Sequence, residues 1–295
     1  MINNRKVLVM GATGQQGGSV ARTLLTAGYR VRAMTRSGAS AGSNRLRDLG
    51  SEIVEGDLKD RGSLLQVMEG IDTVYAMTTP FEAGVQAESE QGLAAVDAAR
   101  EAHVGHFVFS SVANADKATG IPHFDSKYEV EKALEASGLN YTIVAPVFFM
   151  ENLVSPWWLP GLQGGKLAMA MEGSRFLQQI ALANIGEFVT SVIKRRESVF
   201  GQRFDIAGDE ITGEKAAEAI AEVSGKDILY EGFSPDAMRE QNEDFAIMFD
   251  WFESVGYSAD IAKLRTEFPE VNWQDFRGWA RDQDWSILEP VSTEV

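Results

Sequence analysis

Three groups of residues in this sequence have the types and spacing to do chemistry. Gly11, Gly14 and Gly17 stand as G-x-x-G-x-x-G inside residues 6–19, K-V-L-V-M-G-A-T-G-Q-Q-G-G-S, with Thr13, Gln15 and Gln16 completing the loop. Glycines at such positions allow a tight turn, a closer approach of backbone to phosphate than a Cβ permits, and close packing of helix on strand. The helix that follows points free N–H groups and a partial positive charge at the same place, so a pyrophosphate is the natural occupant. The second group is Arg36, at the end of the next strand-like run. An Asp or Glu there would accept from an adenosine ribose 2′-hydroxyl, whereas an arginine pairs with a 2′-phosphate; residues 29–43 contain no acid. NADP is therefore the expected cofactor, with a solvated surface arginine as the alternative. The third group is His123 and Lys127, whose spacing puts both on one helix face. An imidazole of unperturbed pKa, ~6.5, can donate a proton near neutral pH. The competing reading of His123 is a loop histidine after Pro122 with no part in catalysis.

These groups need a scaffold, and the hydrophobic pattern supplies one. Val7, Leu8, Val9 and Met10 form a continuous apolar run, as expected of a parallel strand covered on both faces. Residues 19–25 continue as a helix, strands follow at 29–35, 51–55, 73–77, 106–109 and 141–144, and residues 63–68 and 86–101 carry helical spacing. The repeated β-α unit predicts an α/β fold with a doubly wound parallel Rossmann-type sheet. Such sheets bind ligand at the carboxyl ends of their strands. Asp57, after the third strand, is then a candidate acceptor for the adenine amino group, and Thr78 and Thr79 lie after the fourth. Regular alternation ends near residue 154, where Pro156, Trp157, Trp158 and Pro160 crowd a loop. The expected organisation is a dinucleotide-binding domain over 1–154, to which 184–208 returns, and a smaller mixed C-terminal lobe for substrate or interaction over 155–183 and 209–295. Thr212 is a candidate helix cap, and Trp273, Phe276 and Trp279 at i, i+3, i+6 read as a docked helix.

Composition narrows the function. The 295 residues include no cysteine, which removes disulfides, thiolate nucleophiles and cysteine metal sites together. A formal charge of −16 disfavours direct contact with nucleic acid or an anionic membrane. No apolar run approaches membrane-spanning length and no signal peptide precedes the first strand, so a cytoplasmic location is expected. No His, Asp and Glu grouping has metal-ligand spacing.

The residues Gly11-Ala12-Thr13-Gly14-Gln15-Gln16-Gly17-Gly18, Arg36, His123-Phe124-Asp125-Ser126-Lys127, and Pro146 followed by Phe149-Met150-Glu151-Asn152-Leu153 carry a resemblance. The chain resembles the NmrA-like family, the atypical branch of the short-chain dehydrogenase/reductase superfamily. That resemblance implies that Pro146, Phe149 and Asn152 join the cofactor site and that Lys127 holds the nicotinamide ribose. In the parent superfamily a tyrosine four residues before the lysine donates a proton to a carbonyl; here His123 takes its place. The superfamily's serine would fall near Ser110 or Ser111, with Val112 at the best-aligned position. Two functions follow from the resemblance. One is an NADPH-dependent reductase of a small apolar carbonyl, quinone or enone, held by Phe148, Phe149, Trp157 and Trp158 and using His123, or Lys127 alone, as acid. The other is a non-enzymatic NADP(H) redox sensor that regulates a protein partner. The substrate, the partner and the oligomeric state are not encoded in any of these motifs.

Overall fold

The computed structural model describes residues 5–289. The chain begins β1 (Lys6–Val9), α1 (Gln15–Thr26), β2 (Arg30–Thr35), α2 (Ala41–Asp48), β3 (Glu52–Glu55), α3 (Arg61–Met68), β4 (Thr73–Met77), α4 (Gly84–Glu101), β5 (His106–Ser110), α5 (Pro122–Ala136) and β6 (Tyr141–Pro146). It continues with β7 (Phe148–Phe149), α6 (Leu159–Gln163), β8 (Lys166–Met169), β9 (Phe176–Ile180), α7 (Leu182–Arg195), β10 (Gln202–Ile206), β11 (Asp209–Thr212), α8 (Gly213–Ser224), β12 (Leu229–Gly232), α9 (Asp236–Arg239), α10 (Glu243–Ser254), α11 (Ile261–Glu267) and α12 (Phe276–Asp282).

Two compact units result. The first comprises residues 1–146, 182–205 and 264–272, and the second 147–181, 206–263 and 273–295. The first unit is built on a seven-stranded sheet in the order β10-β6-β5-β4-β1-β2-β3. The pairs among β1 to β6 are parallel. This is the doubly wound Rossmann-type architecture expected from the β-α repeat. Val7, Leu8, Val9 and Met10 are fully buried, which is why β1 reads as an unbroken apolar run. Strand order reverses on either side of β1, which pairs with β2 and with β4, and the carboxyl ends of those strands make the crevice where such sheets bind ligand.

The unit boundaries differ from the sequence-based division in three places, the slightest being the returning segment, which runs 182–205 rather than 184–208. The first unit ends at Pro146 rather than 154, because the chain leaves the large sheet there and β7 pairs with β9. Residues 264–272 belong to the first unit, although the sequence put 209–295 in the small lobe. Phe268, 1 % exposed, explains the return: its ring lies 4.5 Å from that of Phe188 and 5.3 Å from that of Phe204, and the Arg195 guanidinium sits 4.1 Å over it. The second unit holds two small sheets, β11-β9-β7 and the parallel pair β12-β8. Thr212 caps α8 by accepting from the Lys215 N–H, as its position suggests. Trp273 precedes α12 instead of lying on it, whereas Phe276 and Trp279 are buried on its face.

One core histidine gives the first unit a pH dependence. His106 is fully buried at the start of β5, its Nε2 2.9 Å from Thr142 Oγ1. Burial, reinforced by the nearby Arg196 charge, pushes its pKa down to about 3. A depressed histidine pKa means that the unfolded chain binds a proton the folded chain refuses. The stability it contributes is complete above ~6.5 and is lost as pH falls toward the folded value, by up to about 1.4 kcal/mol per pH unit. Urea unfolding at pH 7.5 and pH 5 should show this slope in the wild type and a shallower one in His106→Gln; equal slopes would show that His106 does not couple folding to protons.

Candidate functional site

The glycine loop follows β1 into α1, and its three glycines do separate jobs. Gly11 adopts φ +62, and a Cβ there would meet Met77 Sδ at 2.7 Å. At Gly17 a Cβ would fall 2.4 Å from Gly11 O and 2.8 Å from Met10 O, so only glycine lets α1 start directly against the end of β1. Gly14 is different. Its backbone is extended, φ −80 and ψ 177, and a Cβ there would approach only Gly11 O, at 3.3 Å. Gly14 is the N-cap of α1, makes no side-chain cap, and no acid lies in the helix's first turn. The first-turn N–H groups of Gln15 and Gln16 therefore face the loop with the favourable end of the helix dipole behind them, which fits a dinucleotide pyrophosphate. The Gln16 side chain turns inward, Nε2 donating to Ser110 Oγ at 2.8 Å, so any contact it makes to a phosphate is through backbone. Thr13 is exposed on the loop and faces Gly42 of α2, where a Cβ would meet its Cγ2 at 3.3 Å. The expected start of α1 at residue 19 is corrected to Gln15.

Arg36 and Arg32 diverge. Arg32 donates to Val67 O, Glu69 O and Glu52 Oε1, and is fixed against α3 and β3. The Arg36 side chain is 69 % exposed just beyond β2 and makes a two-pronged ion pair with Glu82, at 2.6 and 2.9 Å. The sequence around Arg36 lacks an acid, but the fold delivers one from the loop after β4. Arg47, on α2, donates to Gly38 O at 2.9 Å. Asp57 is exposed after β3, where Oδ1 accepts from the Lys59 N–H at 2.9 Å.

Lys127 and His123 lie one turn apart on α5, which begins with Pro122 in its first turn. His123 is thus helical, not in a loop. The residue is 7 % exposed, and its ring lies 4.9 Å from that of Phe124 and 6.2 Å from that of Phe81. Lys127 Nζ donates to Glu88 Oε1 at 2.7 Å and to Thr78 O at 3.1 Å. Glu88 is fully buried and also accepts from Thr78 Oγ1 at 3.0 Å and Ser126 Oγ at 2.6 Å. Close packing of α4 on α5 makes this possible: a Cβ at Gly92 would lie 2.3 Å from Val130 Cγ2. Thr78 Oγ1 lies at 3.5 Å, the longest of the three contacts that Lys127 Nζ makes, so of its three N–H groups that one is the most readily given up to a ribose hydroxyl. Thr79 is half-buried, and its Oγ1 accepts from the Phe81 N–H at 3.4 Å. Both serines near the superfamily's position are buried and engaged: Ser110 accepts from Gln16, and Ser111 donates to the buried Glu131.

Pro146 is buried at the end of β6, its carbonyl accepting from the Ala113 N–H at 3.0 Å. Phe149 lies on β7 and Asn152 in the turn after it, both half-buried within the second unit. Of the bulky residues expected to hold substrate, Phe148 is 6 % exposed and packs edge-on to Trp158 at 5.7 Å, and Trp158 Nε1 donates to Ala168 O. Those two pack within the second unit, whereas Trp157 is 79 % exposed. The second unit also has an open cavity of about 720 Å³ whose lining includes Glu172, Glu214, Phe233 and Glu253, none of them an expected site residue. Among the described residues no helix is long and apolar enough to cross a membrane, and no group of three His, Cys, Asp or Glu could hold a metal.

Comparison with known proteins fits this geometry. A photosystem II assembly factor of Cyanophora paradoxa is 34 % identical over 158 residues, covering 52 % of this chain and 49 % of the relative. The chain thus spans about half the length of that relative. An NmrA-like family domain-containing protein of Dictyostelium discoideum is 25 % identical over 273 residues, covering 86 % of this chain and 89 % of the relative. Among solved structures, NmrA, a negative transcriptional regulator, in complex with NADP superposes with a TM-score of 0.81 at 18 % identity, covering 96 % of this chain and 99 % of its own; NmrA is also known in complex with NAD. The NADPH-dependent quinone oxidoreductase of Escherichia coli complexed with NADPH gives 0.78 at 22 %, covering 93 % and 98 %. The sequence model of the NmrA-like family matches residues 3–280, and the chain belongs to that family of Rossmann-type NAD(P)-binding proteins.

Proposed function

We propose that the protein is an NADP(H)-binding reductase of small apolar carbonyl, quinone or enone substrates. The observation that carries this reading is an exposed guanidinium just beyond β2 together with a lysine held by Thr78 just beyond β4, at the carboxyl ends of two strands of the same sheet. Arg36 would take the 2′-phosphate, the α1 N-terminus and Gly14 the pyrophosphate, Asp57 the adenine amino group, Thr78 and Thr79 the strand edge, and Lys127 the nicotinamide ribose. Pro146, Phe149 and Asn152 complete the assignment by family likeness. Bound NADPH would supply the hydride; His123 or Lys127 would supply the proton. A second reading, a redox sensor that acts on a protein partner, draws on one observation: the residue in the tyrosine's place is a histidine buried against Phe124.

Two measurements test the proposal. Titration of NADP⁺ and NAD⁺ into the wild type should favour NADP⁺, and Arg36→Ala should weaken NADP⁺ alone by about tenfold, the lower end for a charge-assisted contact because the guanidinium is exposed. Equal affinity for the two cofactors would remove the basis for NADP. NADPH oxidation against a panel of quinones, enones and aldehydes should then find turnover; a protein that binds NADPH tightly and oxidises it with none of them is a sensor.

A further inference from the structure

The Arg36–Glu82 pair joins two parts of the first unit that the cofactor would also join. Both guanidinium prongs are used, Nη1 to Oε2 at 2.6 Å and Nη2 to Oε1 at 2.9 Å, although the side chains are 69 % and 57 % exposed. A phosphate monoester is held by the same two parallel N–H bonds, so carboxylate and phosphate compete for one fork. The phosphate carries close to two charges against the carboxylate's one and wins that competition. We propose that Glu82 is a built-in competitor for the cofactor's 2′-phosphate, so that NADP(H), but not NAD(H), breaks the Arg36–Glu82 pair and releases the loop that carries Glu82. The inference rests on the proposed contact between Arg36 and the 2′-phosphate.

What the loop carries makes its release consequential. Glu82 follows Phe81, which is 68 % exposed and whose ring lies 6.2 Å from that of His123. The loop is closed by the Gly84 N–H donating to Pro80 O at 2.7 Å, and Gly84 takes φ +86 at the junction with α4. Glu82 on Arg36 and Phe81 beside His123 are therefore adjacent residues of one short segment, tied to Arg36 at one end and in ring contact with the candidate proton donor at the other. With NAD(H) the carboxylate keeps its fork and Phe81 its place. With NADP(H) the segment loses its anchor. The same residue thus lowers NADP affinity and converts the presence of one phosphate into a change beside His123, which is a means for either a reductase or a sensor to distinguish the two cofactors.

An exposed ion pair contributes a few-fold to an equilibrium constant, which sets the expected effect. In Glu82→Gln the Kd for NADP⁺ should fall roughly threefold while that for NAD⁺ changes by less than about twofold. Because the chain has no cysteine, Ala83→Cys, at an exposed loop position, accepts a single nitroxide label. Its spectrum should narrow on addition of NADP⁺, stay unchanged with NAD⁺, and be narrow without cofactor when combined with Glu82→Gln. An unchanged NADP⁺ affinity in Glu82→Gln, in a protein whose Arg36→Ala form binds NADP⁺ more weakly, overturns the competition and leaves the cofactor assignment standing. Loss of NAD⁺ affinity in Glu82→Gln would also overturn it, by making Glu82 an acceptor for the ribose 2′-hydroxyl. If Arg36→Ala leaves NADP⁺ binding untouched, the cofactor assignment and the competition fall together.

Discussion

Gly14→Val should abolish dinucleotide binding while leaving circular dichroism and the thermal midpoint close to wild type, and Gly17→Val should do the reverse damage by preventing the fold. The difference lies in what each new Cβ meets. Gly14 already has an extended backbone that valine favours, and its Cβ would press only on Gly11 O, at 3.3 Å, with the isopropyl group filling the space in front of the α1 N-terminus. At Gly17 the Cβ would lie 2.4 and 2.8 Å from two main-chain carbonyl oxygens at the end of the central strand. Neither oxygen can withdraw without dislodging β1, so the cost exceeds the roughly 1–3 kcal/mol typical of overpacking. Each kcal/mol lowers the midpoint by about 2–4 °C in a chain of this size class. Calorimetry and NADPH titration on both variants check the pair of outcomes. Normal NADPH binding by Gly14→Val would reduce the loop to a turn.

The large sheet was legible because its strands are covered on both faces and therefore appear as apolar runs, Val7 to Met10 and Phe107 to Phe109 being the plainest. Where α1 begins was not, because Gly17 and Gly18 have poor intrinsic helix propensity, and the helix forms there through tight packing that propensity does not encode. The return of residues 264–272 to the first unit hinges on Phe268 finding Phe188, a pairing no local pattern announces. The candidate site divides in the same way. Its glycines and Arg36 are local signals, but Glu82 meets Arg36 across 46 residues and Glu88 meets Lys127 across 39. Glu88 did leave a trace. It falls on the helical face that continues through Gly92, Ala95, Val96 and Ala99, all buried, and an acid in an apolar stripe needs a partner. The short strands β8, β9 and β12 left none, since four or five residues without alternation cannot be told from loop.

The sharpest separation of reductase from sensor comes from His123 and Lys127, and the structure dictates which substitutions are clean. The His123 ring is buried against Phe124, so truncation to alanine would open a cavity and confuse lost chemistry with lost packing. His123→Phe keeps a ring there and removes the proton. If His123 is the acid, that variant should lose roughly 10²- to 10⁴-fold in turnover with NADPH affinity nearly unchanged. Lys127→Ala is a poor test by itself, because it strands the Glu88 carboxylate with no cation in a fully buried site, at a cost of about 3–5 kcal/mol. Lys127→Met combined with Glu88→Gln removes both charges together, and should weaken cofactor binding in a protein that still folds. Full activity in His123→Phe with none in the double variant would leave Lys127 as the acid and reject His123. A sensor would show no turnover in any form, yet would lose NADPH affinity in the double variant alone. His123→Tyr adds a gain-of-function arm. It restores the tyrosine-to-lysine spacing on α5, and with Lys127 still held by Glu88 and Thr78 it should raise carbonyl reduction. If the Tyr variant binds NADPH and reduces nothing, the protein has no productive place for a carbonyl, and the sensor reading stands.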